Sequence, residues 1–171
     1  MPVSEERESA KGSKSVAAKA GKYLTFKIGA EEYGLEILKV QEIIKMMDIT
    51  KVPRVPDFVR GVINLRGKVI PVIDLRLKFG MEAKETTDKT CVIVVQVKRE
   101  NGMIIMGIIV DEVSEVLDIA AQEIEEAPSF GSSVDTRFIL GMAKSKGRVK
   151  MLLDIDKVLA SDEVAALANV A

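Results

Sequence analysis

Histidine and tryptophan are absent from this 171-residue chain, and cysteine occurs once. Without histidine the chain has no Ser-His-Asp or Cys-His pair, no imidazole metal ligand and no phosphorylatable histidine of its own. Cys91 has no internal partner for a disulfide. It lies in the apolar run Cys91-Val92-Ile93-Val94-Val95, the setting of a small core residue rather than of a nucleophile. Aromatic residues make up 4% of the chain, too few for a platform that stacks single-stranded nucleic acid. Charge of one sign is not in excess either. Lys and Arg number 25 against 26 Asp and Glu, a formal charge of −1, whereas a dedicated nucleic-acid binder carries a basic surplus. Long apolar runs are also missing: Met103–Val110 spans eight residues broken by Gly107, against the roughly 20 of a membrane-spanning helix. No apolar leader segment follows the N-terminus, and the chain reads as cytoplasmic.

What is present is the balance of a globular domain, 47% hydrophobic and 30% charged. Residues 1–22 are polar, rich in Ser, Lys and Ala, and lack apolar periodicity, which predicts a flexible tail. The fold is expected to begin at Tyr23, with strands over Tyr23–Ile28 and Glu32–Ile37 joined as a hairpin at Gly29. Ile37, Val40, Ile44 and Met47 recur at three and four, which predicts a short amphipathic helix. Two strands then meet near Gly67, and Pro71 places the second at a sheet edge or ends its ladder there. Asp74 is expected to cap a brief helix, Leu75–Phe79, that Gly80 closes. Strands resume at Cys91–Val97 and Met103–Val110 around an Asn101-Gly102 turn.

The most informative feature is an internal repeat. Phe58-x-x-Gly61, Arg66-Gly67-Lys68-Val69 and Asp74-Leu75 recur 80 residues later as Phe138-x-x-Gly141, Lys146-Gly147-Arg148-Val149 and Asp154-Ile155. A second echo, offset by 73, matches Gly34-Leu35, Val40 and Glu42-Ile43 to Gly107-Ile108, Val113 and Glu115-Val116. Two echoes in the same order indicate a duplicated unit of short strands, hence two small β-barrels or sandwiches packed together.

Residues that carry chemistry are few. No phosphate loop is present, and Asp111, Glu112, Glu115, Asp118, Glu123, Glu125 and Glu126 alternate with apolar residues as a solvated acidic face does. Asp74 and Asp154 occupy equivalent repeat positions and read as caps. Lys146, Arg148 and Lys150 alternate along a strand and read as a solvent face. Arg66, on its turn, is either a plain surface residue or a partner-binding one. Phe130, in a polar loop, either plugs a barrel or anchors an interface. No catalytic, cofactor or metal site is expected, and the residues favour binding over turnover.

Glu32-Tyr33-Gly34-Leu35-Glu36-Ile37-Leu38-Lys39-Val40-Gln41-Glu42-Ile43, then Arg60-Gly61-Val62-Ile63-Asn64-Leu65-Arg66-Gly67, Val69-Ile70-Pro71-Val72-Ile73-Asp74-Leu75, Gly107–Asp111 and Val113–Leu117 strongly resemble the CheW family of bacterial chemotaxis coupling proteins. The resemblance implies a mainly β fold of two five-stranded SH3/OB-like barrels with a third hydrophobic core between them and one or two short helices. It places a CheW-like domain at 23–165, with barrels at approximately 23–82 and 88–160. It implies a non-enzymatic adaptor, without cofactor, that joins the cytoplasmic tips of methyl-accepting chemotaxis receptors to the regulatory domain of the histidine kinase CheA. Other coupling proteins are further expected partners, and neither nucleic acid nor membrane insertion is. Such a protein is cytoplasmic and recruited to the inner face of the membrane through receptors. The family's receptor-binding groove lies between the barrels, at positions matched here by Val40, Glu42, Arg66 and Val116, with an ion pair between Glu42 and Arg66. Phe130 matches a loop position that touches a neighbouring barrel in the array. A longer turn, Lys98 to Gly102, departs from the family pattern.

Overall fold

The computed structural model describes residues 19–99, 102–126 and 137–160. In chain order the strands are β1 (Gly21–Ile28), β2 (Glu31–Glu36), β3 (Val40–Lys45), β4 (Val59–Leu65), β5 (Lys68–Asp74), β6 (Cys91–Arg99), β7 (Gly102–Val110), β8 (Glu112–Ile119), β9 (Ile124–Glu125), β10 (Ile139–Ser145) and β11 (Arg148–Leu153). Two single helical turns, α1 (Leu75–Lys78) and α2 (Ile155–Val158), follow β5 and β11. Asp74 caps the first by accepting the Arg76 and Leu77 N–H groups, and Asp154 caps the second by accepting that of Lys157. Both caps are those expected from the repeat.

The strands form two sheets, ordered β8-β1-β2-β11-β10-β9 and β3-β6-β7-β5-β4. The six-stranded sheet owes its sixth strand to the two-residue β9. Its members come from both ends of the chain. The hairpin β1–β2 pairs with β8 and β11, while the hairpin β6–β7 pairs with β3 and β5. Each half of the chain thus lends its hairpin to the other half's barrel. A division into a first barrel at 23–82 and a second at 88–160 follows the duplicated units but not the sheets.

Three apolar clusters result. Ile63, Ile70, Val72, Val92, Val94 and Ile109 fill the five-stranded barrel. Tyr23, Ile119, Ile124, Ala143 and Leu152 fill the other. A third and larger cluster, including Leu24, Phe26, Leu35, Ile73, Ile93, Val95, Ile108 and Leu153, lies between the sheets. The continuous apolar run of β6 follows from this, because Val92 and Val94 point into a barrel while Ile93 and Val95 point into the central core. Gly34 and Gly107 sit at equivalent places where the exchanged hairpins lie parallel to β11 and β5. A Cβ on Gly107 would stand 2.7 Å from Val92 Cγ1, and one on Gly34 2.9 Å from Leu152 Cδ2. At each, a side chain packed against the glycine already occupies the space that a Cβ would take.

The helix expected over Ile37–Met47 is not formed. Ile37–Lys39 make one 3-10 turn, and Val40–Lys45 are strand β3. The ladder to β6 slips between Val40 and Glu42, so Gln41 bulges. Val40, opposite Val95, packs on the central core, whereas Ile44, opposite Val92, faces the barrel interior. An edge strand that packs one half-buried residue on each face, with one bulged residue between them, thereby imitates helical spacing. Pro71 lies within the inner strand β5, not at a sheet edge, and the parallel ladder to β7 starts at the next residue, Val72. The β6–β7 hairpin pairs as far as Arg99 with Gly102, further than the expected turn at Lys98–Gly102 allowed.

Candidate functional site

Arg66 and Gly67 form the two-residue turn between β4 and β5, with φ of 52 and 86. Positive φ at both central residues is the primed hairpin turn whose twist matches that of the flanking strands. The Gly67 N–H donates to Asn64 Oδ1 at 2.8 Å, which closes the turn from the side chain. So held, the Arg66 guanidinium projects towards the edge strand β3 and meets the Glu42 carboxylate with both of its terminal nitrogens, Nη1 lying 3.1 Å from Oε1 and Nη2 bonding Oε2. The expected pair is therefore made, and it is bidentate. Each group holds the other charged: Arg66 draws the Glu42 carboxyl below the ordinary range, and Glu42 raises Arg66. Arg66 remains exposed and Glu42 partly so. The repeat places Glu115 and Lys146 in the same relation, with Lys146 again at positive φ, yet among the described residues no ion pair joins them. The bidentate clasp belongs to one copy of the unit.

Val40 and Val116 lie on the edge strands of different sheets, β3 and β8. Val40 is half-buried against the central core, and its repeat equivalent there is Val113. Val116 stands opposite Leu24, on the face of its sheet that carries the central core, but is 49% exposed. Its own equivalent, Ile43, stands opposite Ile93 on the corresponding face and is 45% exposed. Each edge strand therefore sets one valine onto the core between the barrels and leaves one apolar residue open beside it. Leu38, on the 3-10 turn leading into β3, is 90% exposed. Ile43 and Leu38 were not singled out by sequence reasoning. For Ile43 a signal existed, because the 73-residue echo aligns it with Val116.

The other candidates resolve differently. Cys91 packs in the central core, where burial pushes its thiol up. The stripe Lys146, Arg148, Lys150 is not a plain solvent face. Lys150 is buried and pairs with Glu32 at 2.7 Å, and Arg148 lies 3.8 Å from the same carboxylate. Nor is Asp111 part of a solvated acidic face, since it binds Arg76 at 2.6 Å and is largely buried. Phe130 lies outside the described residues.

The comparisons with known proteins agree on one family. A family model described as CheW-like domain matches residues 22–163. A chemotaxis protein CheW from Klebsiella aerogenes is 42% identical over 149 residues, covering 87% of this chain and 87% of that protein. Another from Rhizobium meliloti is 35% identical over 140 residues, covering 82% and 88%. Among solved structures, the scaffolding protein TtCheW from Thermoanaerobacter tengcongensis superposes with a TM-score of 0.74 at 35% identity, covering 84% of this chain and 95% of that one.

Proposed function

The chain belongs to the CheW-like family, whose fold and chemotaxis scaffolding character it shares, and on that premise we propose that it is a non-enzymatic adaptor coupling methyl-accepting chemotaxis receptors to the histidine kinase CheA. The observation that carries the reading is the arrangement around the central core. A bidentate Glu42–Arg66 pair sits on β3 and its neighbouring turn, beside apolar residues left open on two edge strands. An amphipathic helix is the partner such a surface suits, laying its apolar stripe on Val40, Ile43 and Val116 and its polar flank on the ion pair. With a helix of the receptor tip as that partner, Val40, Glu42, Arg66 and Val116 are the proposed receptor contacts. Phe130 is the proposed contact to the kinase or a neighbouring coupling protein. The protein then acts in the cytoplasm, held at the inner face of the membrane by its receptors. Among the described residues no helix is long and apolar enough to cross a membrane.

The test is co-sedimentation of the full chain with receptor signalling domains assembled on vesicles, with and without the kinase regulatory domain. The adaptor should sediment with receptors alone and bring the regulatory domain down with it. Failure to sediment with receptors, or recruitment of the kinase domain equally without the adaptor, would overturn the reading. Phe130→Ser should lower kinase-domain recovery and leave receptor binding as it was.

A further inference from the structure

The chain passes between the barrels at two equivalent places. Ile37–Lys39 lead from β2 in the six-stranded sheet to β3 in the five-stranded one, and Asp111 leads from β7 back to β8. An ion pair holds each crossing. Lys39 Nζ lies 2.7 Å from Asp156 Oδ2 on α2, and Asp111 Oδ2 lies 2.6 Å from Arg76 Nη1 on α1. In both, the helical turn belongs to the barrel that the crossing strand is leaving. Each carboxylate also accepts a backbone N–H from the other barrel's hairpin or strand: Asp156 from Lys98 at 2.8 Å, and Asp111 from Gly29 at 2.7 Å. Arg99 adds a bond to the Leu159 carbonyl beside the first, and the Arg76 Nε donates to the Glu82 carbonyl at 2.9 Å beside the second.

The 80-residue repeat aligns Arg76 with Asp156, and the 73-residue echo sets Asp111 one residue before the equivalent of Lys39, so the two clasps share their helical-turn position, with the charges reversed, and lie one residue apart at the crossing. Reversal keeps the attraction while discarding the sequence identity. That points to the interaction itself, rather than either residue type, as what the position requires. All four side chains are at most 28% exposed, where screening by salt is weaker than at the surface.

We infer that the Lys39–Asp156 and Arg76–Asp111 clasps are positioning elements of the inter-barrel surface. Each fixes the first residues of an edge strand, the first setting Val40 and Glu42 on β3 and the second setting Val113 and Val116 on β8. The clasps touch no receptor. They set the separation and angle of the two lips on which a helix would lie, and this last step rests on the receptor reading above.

The experiment uses the full chain with Lys39→Met, Arg76→Met, the charge-keeping Lys39→Arg and, as a control, Lys150→Met. The control breaks a buried ion pair between β2 and β11, away from both crossings. Amide hydrogen exchange is read first and needs no partner. Lys39→Met should speed exchange at Val40–Lys45 and Arg76→Met at Glu112–Ile119, each beyond the change elsewhere in the molecule, with Lys39→Arg close to the parent. Receptor-tip affinity is read second. Each Met variant at a clasp should bind roughly fivefold more weakly or worse, whereas Lys150→Met should lower the melting temperature without changing affinity. Uniform acceleration of exchange, or equal loss of affinity in the Lys150 control, would reduce the clasps to general stability and overturn the inference. Should the parent chain fail to bind the tip, the receptor reading falls, and the strand-specific exchange still decides whether the clasps position β3 and β8.

Discussion

Three carboxylates on β2 and β3 respond to their surroundings in opposite directions, and two of them, Glu36 and Glu32, fix a pH dependence. Burial raises the Glu36 carboxyl, with Asp154 and Asp156 adding to the effect and Lys39 opposing it. A carboxyl raised by folding takes up a proton more readily in the native state, so its ionised form is a cost at neutral pH. Glu36→Gln should therefore raise the urea midpoint at pH 7, and the advantage should vanish as pH falls below the ordinary glutamate value of about 4.5. A variant less stable than the parent at pH 7 would contradict this. Glu32 is lowered, chiefly by the Lys150 ammonium 2.7 Å from its Oε2. Its contribution is present above the ordinary glutamate value and is lost as pH falls through the lowered one. Lys150→Met should cost on the order of 1–2 kcal/mol at neutral pH, with the gap closing in acid, as denaturant titrations at the two pH values will read. Glu42 is lowered likewise by Arg66, in an exposed pair whose geometry matters more than its stability. The sequence made that pair legible, because both residues could be matched to a family motif even though Glu42 was expected on a helix and lies on a strand. Leu38 and the two clasps were not legible: exposure leaves no pattern in a sequence, and reversal of charge erases the clasps from the repeat.

Among the elements, those set by neighbouring residues were the ones open to reading. The Arg66-Gly67 turn, the Asp74 and Asp154 caps and the β6–β7 hairpin each follow from side chains within a few positions. Strand β3 did not, since its apolar spacing comes from two separate cores and a bulge at Gln41. The paired glycines give the element scale its own test. At Gly107 an added methyl meets Val92 Cγ1, the tip of a stiff β-branched side chain inside a packed barrel. Gly107→Ala should cost about 1–3 kcal/mol. At Gly34 the obstacle is Leu152 Cδ2, the end of a side chain with a second rotatable bond, so Gly34→Ala should cost less. Melting temperatures of the two variants compare them directly, and the reverse order would mean that the ladders bend differently from the geometry described.

For the whole molecule, duplication gave two units, and the exchange of hairpins turned those units into one body. The repeat was visible in the sequence, but which hairpin pairs with which strand was not, because pairing is a long-range choice that two similar units satisfy in either way. Exchange has a consequence for function. The central core is built from both units, so edge strands β3 and β8 are positioned by one shared cluster, and a helix seated there would touch both barrels at once. The proposed division of labour, receptors at this surface and the kinase elsewhere, is tested most directly by Glu42→Lys. The substitution places a cation beside Arg66 without touching any of the three cores. The measurement is a titration of the folded variant and its parent against a receptor tip fragment and, separately, against the kinase regulatory domain. Receptor affinity should fall several-fold while kinase affinity stays within twofold of the parent, roughly the scatter of such titrations; equal loss on both partners, or loss on neither, would contradict the assignment.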